Sequence, residues 1–346
     1  MRLAHAHKGA GIGNTRPGFT IIELLVVIVI IILLMGLLMA AVQKVMITLD
    51  ETKVITELWQ MDQGAEQFRS KHGDYPPSRI YLSETGSYPN YGLTTPQGQL
   101  ETYSVDTLRR LFTGIDLALA NPAVGGVTTA FDLPGVEWHD WNGNGVRDAN
   151  PIVLEGEECL VYFLGGIPQI DATTGLIGGL GFCTDMVLPT RPTAANVVRN
   201  GPYFVFKSER LRLSGIQSPN LFAVYRDHFG TPYAYFRARY GTENTYPCNT
   251  LTTPPPPPGT NVTDCSTLLV TNGSPNFMPY CESSRGPGPF PNLFIKFHRP
   301  DKYQIISAGR DQLFGNGGSY NPADPDTLTR VDKDNMTNFA GGKLGG

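Results

Sequence analysis

Between Phe19 and Val42 the chain reads FTIIELLVVIVIIILLMGLLMAAV, and only Thr20 and Glu23 in it carry polar side chains. As a helix rising about 1.5 Å per residue, this stretch reaches roughly 36 Å, against about 30 Å of bilayer hydrocarbon. A cleavable secretory signal has a shorter apolar region, about 7 to 15 residues, closed by an Ala-x-Ala-like site. The sequence Met39-Ala40-Ala41-Val42-Gln43 is a poor one. The segment is also too long for an ordinary buried core helix, so it is read as one membrane crossing. Residues 1 to 18 hold Arg2, Lys8 and Arg16 and no Asp or Glu, which puts the N-terminus on the cytoplasmic side of an inner membrane and the bulk of the chain in the periplasm.

Glu23 is the anomaly in that run. A carboxylate inside a membrane segment is costly and rare, so it is a functional candidate, with snorkelling to the headgroups as the plain alternative. The flanking residues bear on the choice. Arg16-Pro17-Gly18-Phe19-Thr20-Ile21-Ile22-Glu23 resembles the processing site of type IV prepilins and type II secretion pseudopilins: a short basic leader ending in Gly, then Phe, with Glu fifth after the Gly. The resemblance implies that a prepilin peptidase cuts after Gly18 and methylates the new amino terminus of Phe19. It also implies that Glu23 neutralises the Phe19 amine of a neighbouring subunit as copies enter a filament, where an unpaired charge in low dielectric would be expensive. Where many relatives have a proline, this chain has Ala40, so the helix is expected to run on.

Residues 43 to 72 keep helical periodicity. Val45, Leu49, Thr52, Ile55, Trp59, Ala65 and Phe68 recur at mostly three- and four-residue steps and are read as the apolar face that packs on a sheet. Gly73 and Pro76-Pro77 stop the helix. The exit His72-Gly73-Asp74-Tyr75-Pro76 resembles that of major pseudopilins. Beyond residue 78, short runs with strand composition appear at 160–164, 203–207, 221–225, 233–238, 293–297 and 303–307, separated by Gly, Pro, Asn and Asp. They predict an antiparallel sheet. Residues 106–120 read as a helix opened by Asp106, and Thr252–Gly259 as a solvated polyproline loop.

The fold expected is therefore α+β and pilin-like: leader 1–18, membrane and filament-core helix 19–42, amphipathic continuation 43–72, and a periplasmic head 73–346 with an insertion at about 84–200. With a formal charge of −4 and a pI near 5.9, the chain lacks the basic footprint of a nucleic-acid binder. Five cysteines, none in a CxxC pair, give little support to zinc, and Cys248 with Cys265 is the favoured bridge should the compartment be oxidising.

Two loops are candidate calcium sites. Arg226-Asp227-His228-Phe229-Gly230-Thr231-Pro232-Tyr233, Ser307-Ala308-Gly309-Arg310-Asp311 and the segment Asp332–Phe339 resemble the head of major pseudopilins, whose C-terminal loop binds calcium. The resemblance carries that role to Asp311, Asp334 and Asn335 within 307–339, against solvated loop acids that cap turns. Independently, Asp140, Asn142, Asn144 and Asp148 place oxygen side chains at positions 1, 3, 5 and 9 of an EF-hand-type loop with Gly145 at position 6. Position 12 is Pro151 rather than a bidentate acid, and Asn-Gly turns explain the same residues more simply.

No nucleophile elbow, zinc-helix or phosphate-loop motif is present, so an enzyme is not expected. The reading is a pseudopilin of a type II secretion-like system, partnered by itself, other pseudopilins, the prepilin peptidase and an inner-membrane assembly platform. A surface type IV pilin or adhesin, and a membrane-tethered enzyme or carbohydrate-binding domain, are the alternatives.

Overall fold

The structure, a computed structural model, describes residues 18–117, 138–171, 173–191, 197–214, 222–238, 246, 264–275, 277–283 and 296–345. Helix α1, Ile21–His72, is continuous, and the chain divides into two compact units at Asp50 and Glu51. In the first unit the apolar side chains from Phe19 to Met39 are all exposed, and the helix is long and apolar enough to cross a membrane.

Within the second unit, α1 buries Val54, Leu58, Met61, Ala65 and Phe68, a stripe at alternating four- and three-residue steps. This corrects the sequence reading. At about 100° per residue, Val45, Leu49, Thr52 and Trp59 lie roughly on the opposite side of the helix from Val54 and Leu58. Trp59 is 62 % exposed, and only Ala65 and Phe68 of the expected stripe are buried, with Ile55 half-buried. The error arose because the buried face includes acids that read as solvent-facing. Glu57 pairs with Arg210, Asp62 with Arg299 at 2.5 Å, Glu66 with Lys302 at 2.6 Å, and Glu51 with Lys343 at 2.9 Å. Tyr233 donates to Glu57 at 2.9 Å, while Tyr303 and Asn338 donate to Asp62 at 2.9 and 2.8 Å. Gly64 has a packing reason: a Cβ there would lie 2.9 Å from the Tyr203 carbonyl oxygen. At the helix end His72 donates through Nδ1 to the Leu111 carbonyl and accepts from Tyr203 at Nε2, and burial holds its pKa below the ordinary value.

The central sheet pairs Ala234–Arg237 and Met336–Thr337 with Tyr303–Ser307, all antiparallel, in the register Tyr303 to Arg237 through Ile306 to Ala234. Its period-two alternation divides the core into two layers. Tyr235, Tyr303 and Ile305 join the cluster around α1, whereas Ala234, Phe236 and Ile306 join a second cluster with Phe277, Tyr280 and Phe314. Small antiparallel pairs complete the head, and Met278–Ser283 runs antiparallel to Lys296–Phe297 but parallel to Gly317–Ser319. The architecture is α+β, with the second half of α1 packed on the sheet.

Three local expectations change. The run at 160–164 is helical, within Gly156–Gly165, because Glu155 and Glu158 form a capping box and Gly166 at φ 88° ends it. A short apolar run buried on all sides has no period to separate helix from strand. Residues 203–207 form no strand, since the amides of Tyr203 and Phe204 both donate to the Leu164 carbonyl instead of a ladder. The helix expected at 106–120 is Pro96–Leu111, opened by Thr95, whose hydroxyl accepts from Gly98 N–H at 3.1 Å, with Pro96 at its first position. Asp106 is an exposed mid-helix residue, and 118–120 lie outside the described residues, as do the leader to Pro17, Leu221, 293–295 and the polyproline loop.

Candidate functional site

Gly18 and Phe19 precede the first helical residue and are exposed, so the Gly18–Phe19 peptide bond is free of the helical hydrogen-bond ladder. A Cβ on Gly18 would meet nothing within 4 Å, so packing does not demand glycine there. Thr20 and Glu23 form a reciprocal capping box. The Thr20 amide donates to Glu23 Oε2 at 2.9 Å, the Thr20 hydroxyl donates to the same oxygen at 2.7 Å, and Glu23 N–H donates back to the hydroxyl at 3.3 Å. Within one chain, then, the anomalous carboxylate satisfies an orphan amide at the head of the apolar helix and complements its dipole. Any charge outside the chain that takes Glu23 as partner competes with Thr20.

Residues 14–39 match the family model described as the prokaryotic N-terminal methylation motif. The chain carries a type IV pilin-like methylation motif. No curated protein and no solved structure matches the chain. The motif takes in Gly18, Phe19, Thr20 and Glu23, the residues whose geometry is given above, together with most of the apolar run. It covers no residue beyond Met39, so neither the head nor the loops at 140–148 and 307–339 fall within it.

In the C-terminal loop Asp311 and Asp334 meet: Asp311 N–H donates to Asp334 Oδ2 at 2.9 Å, and the Asp311 carboxyl is raised above its ordinary value by burial, then by the carboxylates of Asp334 and Asp332. Asn335 is buried away from solvent, with Nδ2 donating to Tyr280 Oη at 2.7 Å and to the Phe314 carbonyl at 2.8 Å. Asp332 is the anchor that sequence reasoning left without a role. It accepts from Gly317 N–H at 2.8 Å, Tyr280 Oη at 3.2 Å and the Thr329 hydroxyl. Its oxygens are spent on the loop itself.

The residues of the EF-hand-type loop also come together. Asp140 accepts from Asn144 and Gly145 N–H at 3.2 and 2.9 Å, and Asn142 Nδ2 donates to Asp148 Oδ2 at 2.6 Å. The structure adds Glu84, which accepts from Trp141 N–H at 3.0 Å and from Asp148 N–H at 2.8 Å. Burial, with Asp140 and Asp148 nearby, pushes the Glu84 carboxyl up to about 7. No linear motif announces Glu84, because it acts across a gap of more than fifty residues. Among the described residues, no group of three or more His, Cys, Asp or Glu side chains could hold a metal ion, so calcium in either loop would need carbonyl and amide oxygens for most of its 6 to 8 ligands.

Cys265 is a free, buried thiol that donates to the Tyr235 carbonyl at 3.2 Å, and Cys248 lies outside the described residues. Beside it, Glu157 is buried with Oε2 unpartnered; burial, then Glu155 and Glu158, pushes its carboxyl up to about 8.

Proposed function

We propose that the chain is a structural subunit of a type II secretion-like pseudopilus. A prepilin peptidase cuts it after Gly18 and methylates Phe19; an inner-membrane assembly platform then adds it, helix inward, to a filament that moves proteins out of the cell. The observation that carries the reading is the methylation motif at residues 14–39 set on an apolar helix with no covering of its own. A helix of that kind is served by lipid before assembly and by copies of itself after it. The head is then periplasmic, and Glu23 changes partner on assembly, from Thr20 of its own chain to the Phe19 amine of a neighbour.

Two substitutions separate the charge from the cap. Glu23→Gln keeps a side chain that completes a capping box, whereas Glu23→Ala removes both functions. Both variants are expected to insert and to be cleaved, and neither to enter filaments sedimented from sheared cells. Filaments built from Glu23→Gln at the normal level would show that the cap alone matters and would remove the pairing role.

Calcium belongs to the proposal at the level of ligands: Asp311 and Asp334 would hold it in the C-terminal loop, with Asn335 at the loop's base, and Asp140, Asn142, Asn144 and Asp148 would offer a second set of oxygens, carbonyl groups supplying the rest in either loop. Bound there, the cation would relieve the mutual repulsion of the paired carboxylates.

A further inference from the structure

The strand pair Leu211–Leu213 and Ala223–Tyr225 sets Arg212 opposite Val224. Side chains alternate along a strand, so Leu211 and Tyr225 enter the core while Arg212, Val224 and, two residues further on, Arg226 share the opposite face. That face forms one side of a groove of about 350 Å³, and the helix Ser266–Thr271 forms the other, with Leu268 and Thr271 in the lining. The volume is in the range that small ligands occupy. Glu157, from the helix Gly156–Gly165, lines the groove too, 4 % exposed and with Oε2 unpartnered. A buried polar atom of that kind is costly unless something bonds it. Its neighbour Glu155 is already engaged, accepting from Thr267 N–H at 2.7 Å and from the Ser266 hydroxyl. Among the described residues neither guanidinium has a carboxylate partner: Arg212 Nη1 donates to the carbonyls of Glu209 and Leu211, both at 2.7 Å, and the Arg226 side chain makes no hydrogen bond.

We propose that this groove binds the free carboxylate end of a peptide whose last residue is small and aliphatic. Three features select that chemistry. The planar forks of Arg212 and Arg226 match a carboxylate, and no ionised acid in the groove offsets their two charges, since burial keeps the Glu157 carboxyl protonated at neutral pH. Protonated on Oε2, that carboxyl is a donor, and the acceptor it calls for is a carbonyl such as that of the last peptide bond. Val224, Pro232 and Leu268 supply apolar wall that an aliphatic side chain covers and an inorganic anion leaves unused. A cationic ligand would be opposed by both guanidiniums. The proposal does not depend on the filament reading.

The test is calorimetric titration of the detergent-solubilised full chain, at neutral pH, with N-acetylvaline, N-acetylvalinamide and inorganic phosphate. N-acetylvaline is expected to bind, and the amide and phosphate each to bind about tenfold or more weakly, because only the first joins a carboxylate to an apolar body. Arg226→Gln should weaken the acid by about tenfold or more and leave the melting temperature of the head unchanged, since the side chain is exposed. Glu157→Met, which cannot donate, should weaken it by a similar factor, whereas Glu157→Gln, whose amide can, should hold it within about threefold of the parent. No heat from N-acetylvaline at millimolar concentration, equal binding of acid and amide, or undiminished binding in Arg226→Gln overturns the proposal. Phosphate bound as tightly as the acid overturns the assignment to a peptide end. Undiminished binding in Glu157→Met overturns the part given to the buried carboxyl.

Discussion

Glu57 is the side chain on which the seating of α1 in the head depends most, and removing it gives a worked test. Its carboxylate receives Arg210, Tyr233 at 2.9 Å and Tyr225 at 3.3 Å, and lies 3.5 Å from Lys207 Nζ. In Glu57→Ala the Arg210 guanidinium, whose side chain is 17 % exposed, keeps its charge without its partner, and the buried Tyr233 hydroxyl loses its acceptor. Breaking one side of a buried pair costs about 3–5 kcal/mol, so a loss of about 4 kcal/mol is expected. For a unit of this size that corresponds to roughly 10 °C in melting temperature. Residues 1–50 hold no tyrosine or tryptophan, so near-ultraviolet circular dichroism of the detergent-solubilised full chain reports the head alone. Arg210→Ala should cost a similar amount, and the double variant less than the sum by about 1–3 kcal/mol. A loss below about 1 kcal/mol for Glu57→Ala, or strict additivity in the double variant, would refute the anchoring role.

Glu157 supplies a pH signature. Its carboxyl titrates near its ordinary value of 4.5 in the unfolded chain and at about 8 in the head. Between those values the folded state holds the extra proton, so this group's contribution to stability is full below about 4.5 and is lost as pH rises through 8. Glu157→Gln should therefore become progressively more stable than the parent from pH 5 to 8; a constant difference across that window would contradict the burial of this acid. Calcium titration of the full chain by calorimetry should release heat and raise the melting temperature, and Asp311→Asn with Asp334→Asn should remove the part owed to the C-terminal loop. Neither heat nor stabilisation in the parent would count against calcium in both loops.

Linear signals were legible and distant ones were not. Gly18, Phe19 and Glu23 stand within a few residues of one another beside an apolar run too long to mistake, so the sequence states their grouping directly. The strand at Tyr303–Ser307 was equally readable, at the boundaries expected, because its composition and length are those of a strand and neighbours cover both its faces. Helix Gly156–Gly165 was misread because the capping glutamates that decide it look like ordinary polar residues. Helix Pro96–Leu111 starts ten residues before the expected Asp106 because the Thr95-Pro96 pair caps it, and Asp106 falls in mid-helix. Much of the packed face of α1 is placed differently from the sequence reading for a related reason: Glu57 is buried and Asp62 half-buried by virtue of Arg210 and Arg299, which lie more than 150 residues away. Trp59, expected on the packed face, is exposed instead. Glu84 in the Asp140–Asp148 loop was invisible for the same reason of distance.

The claim from which the rest follows is that Gly18–Phe19 is a processing junction. Mass spectrometry of the N-terminal peptide from the membrane-extracted protein tests it directly. The account predicts a chain that begins at N-methyl-Phe19 with residues 1–18 removed. A protein that keeps its leader, begins at any other residue, or carries an unmodified phenylalanine amine would contradict it.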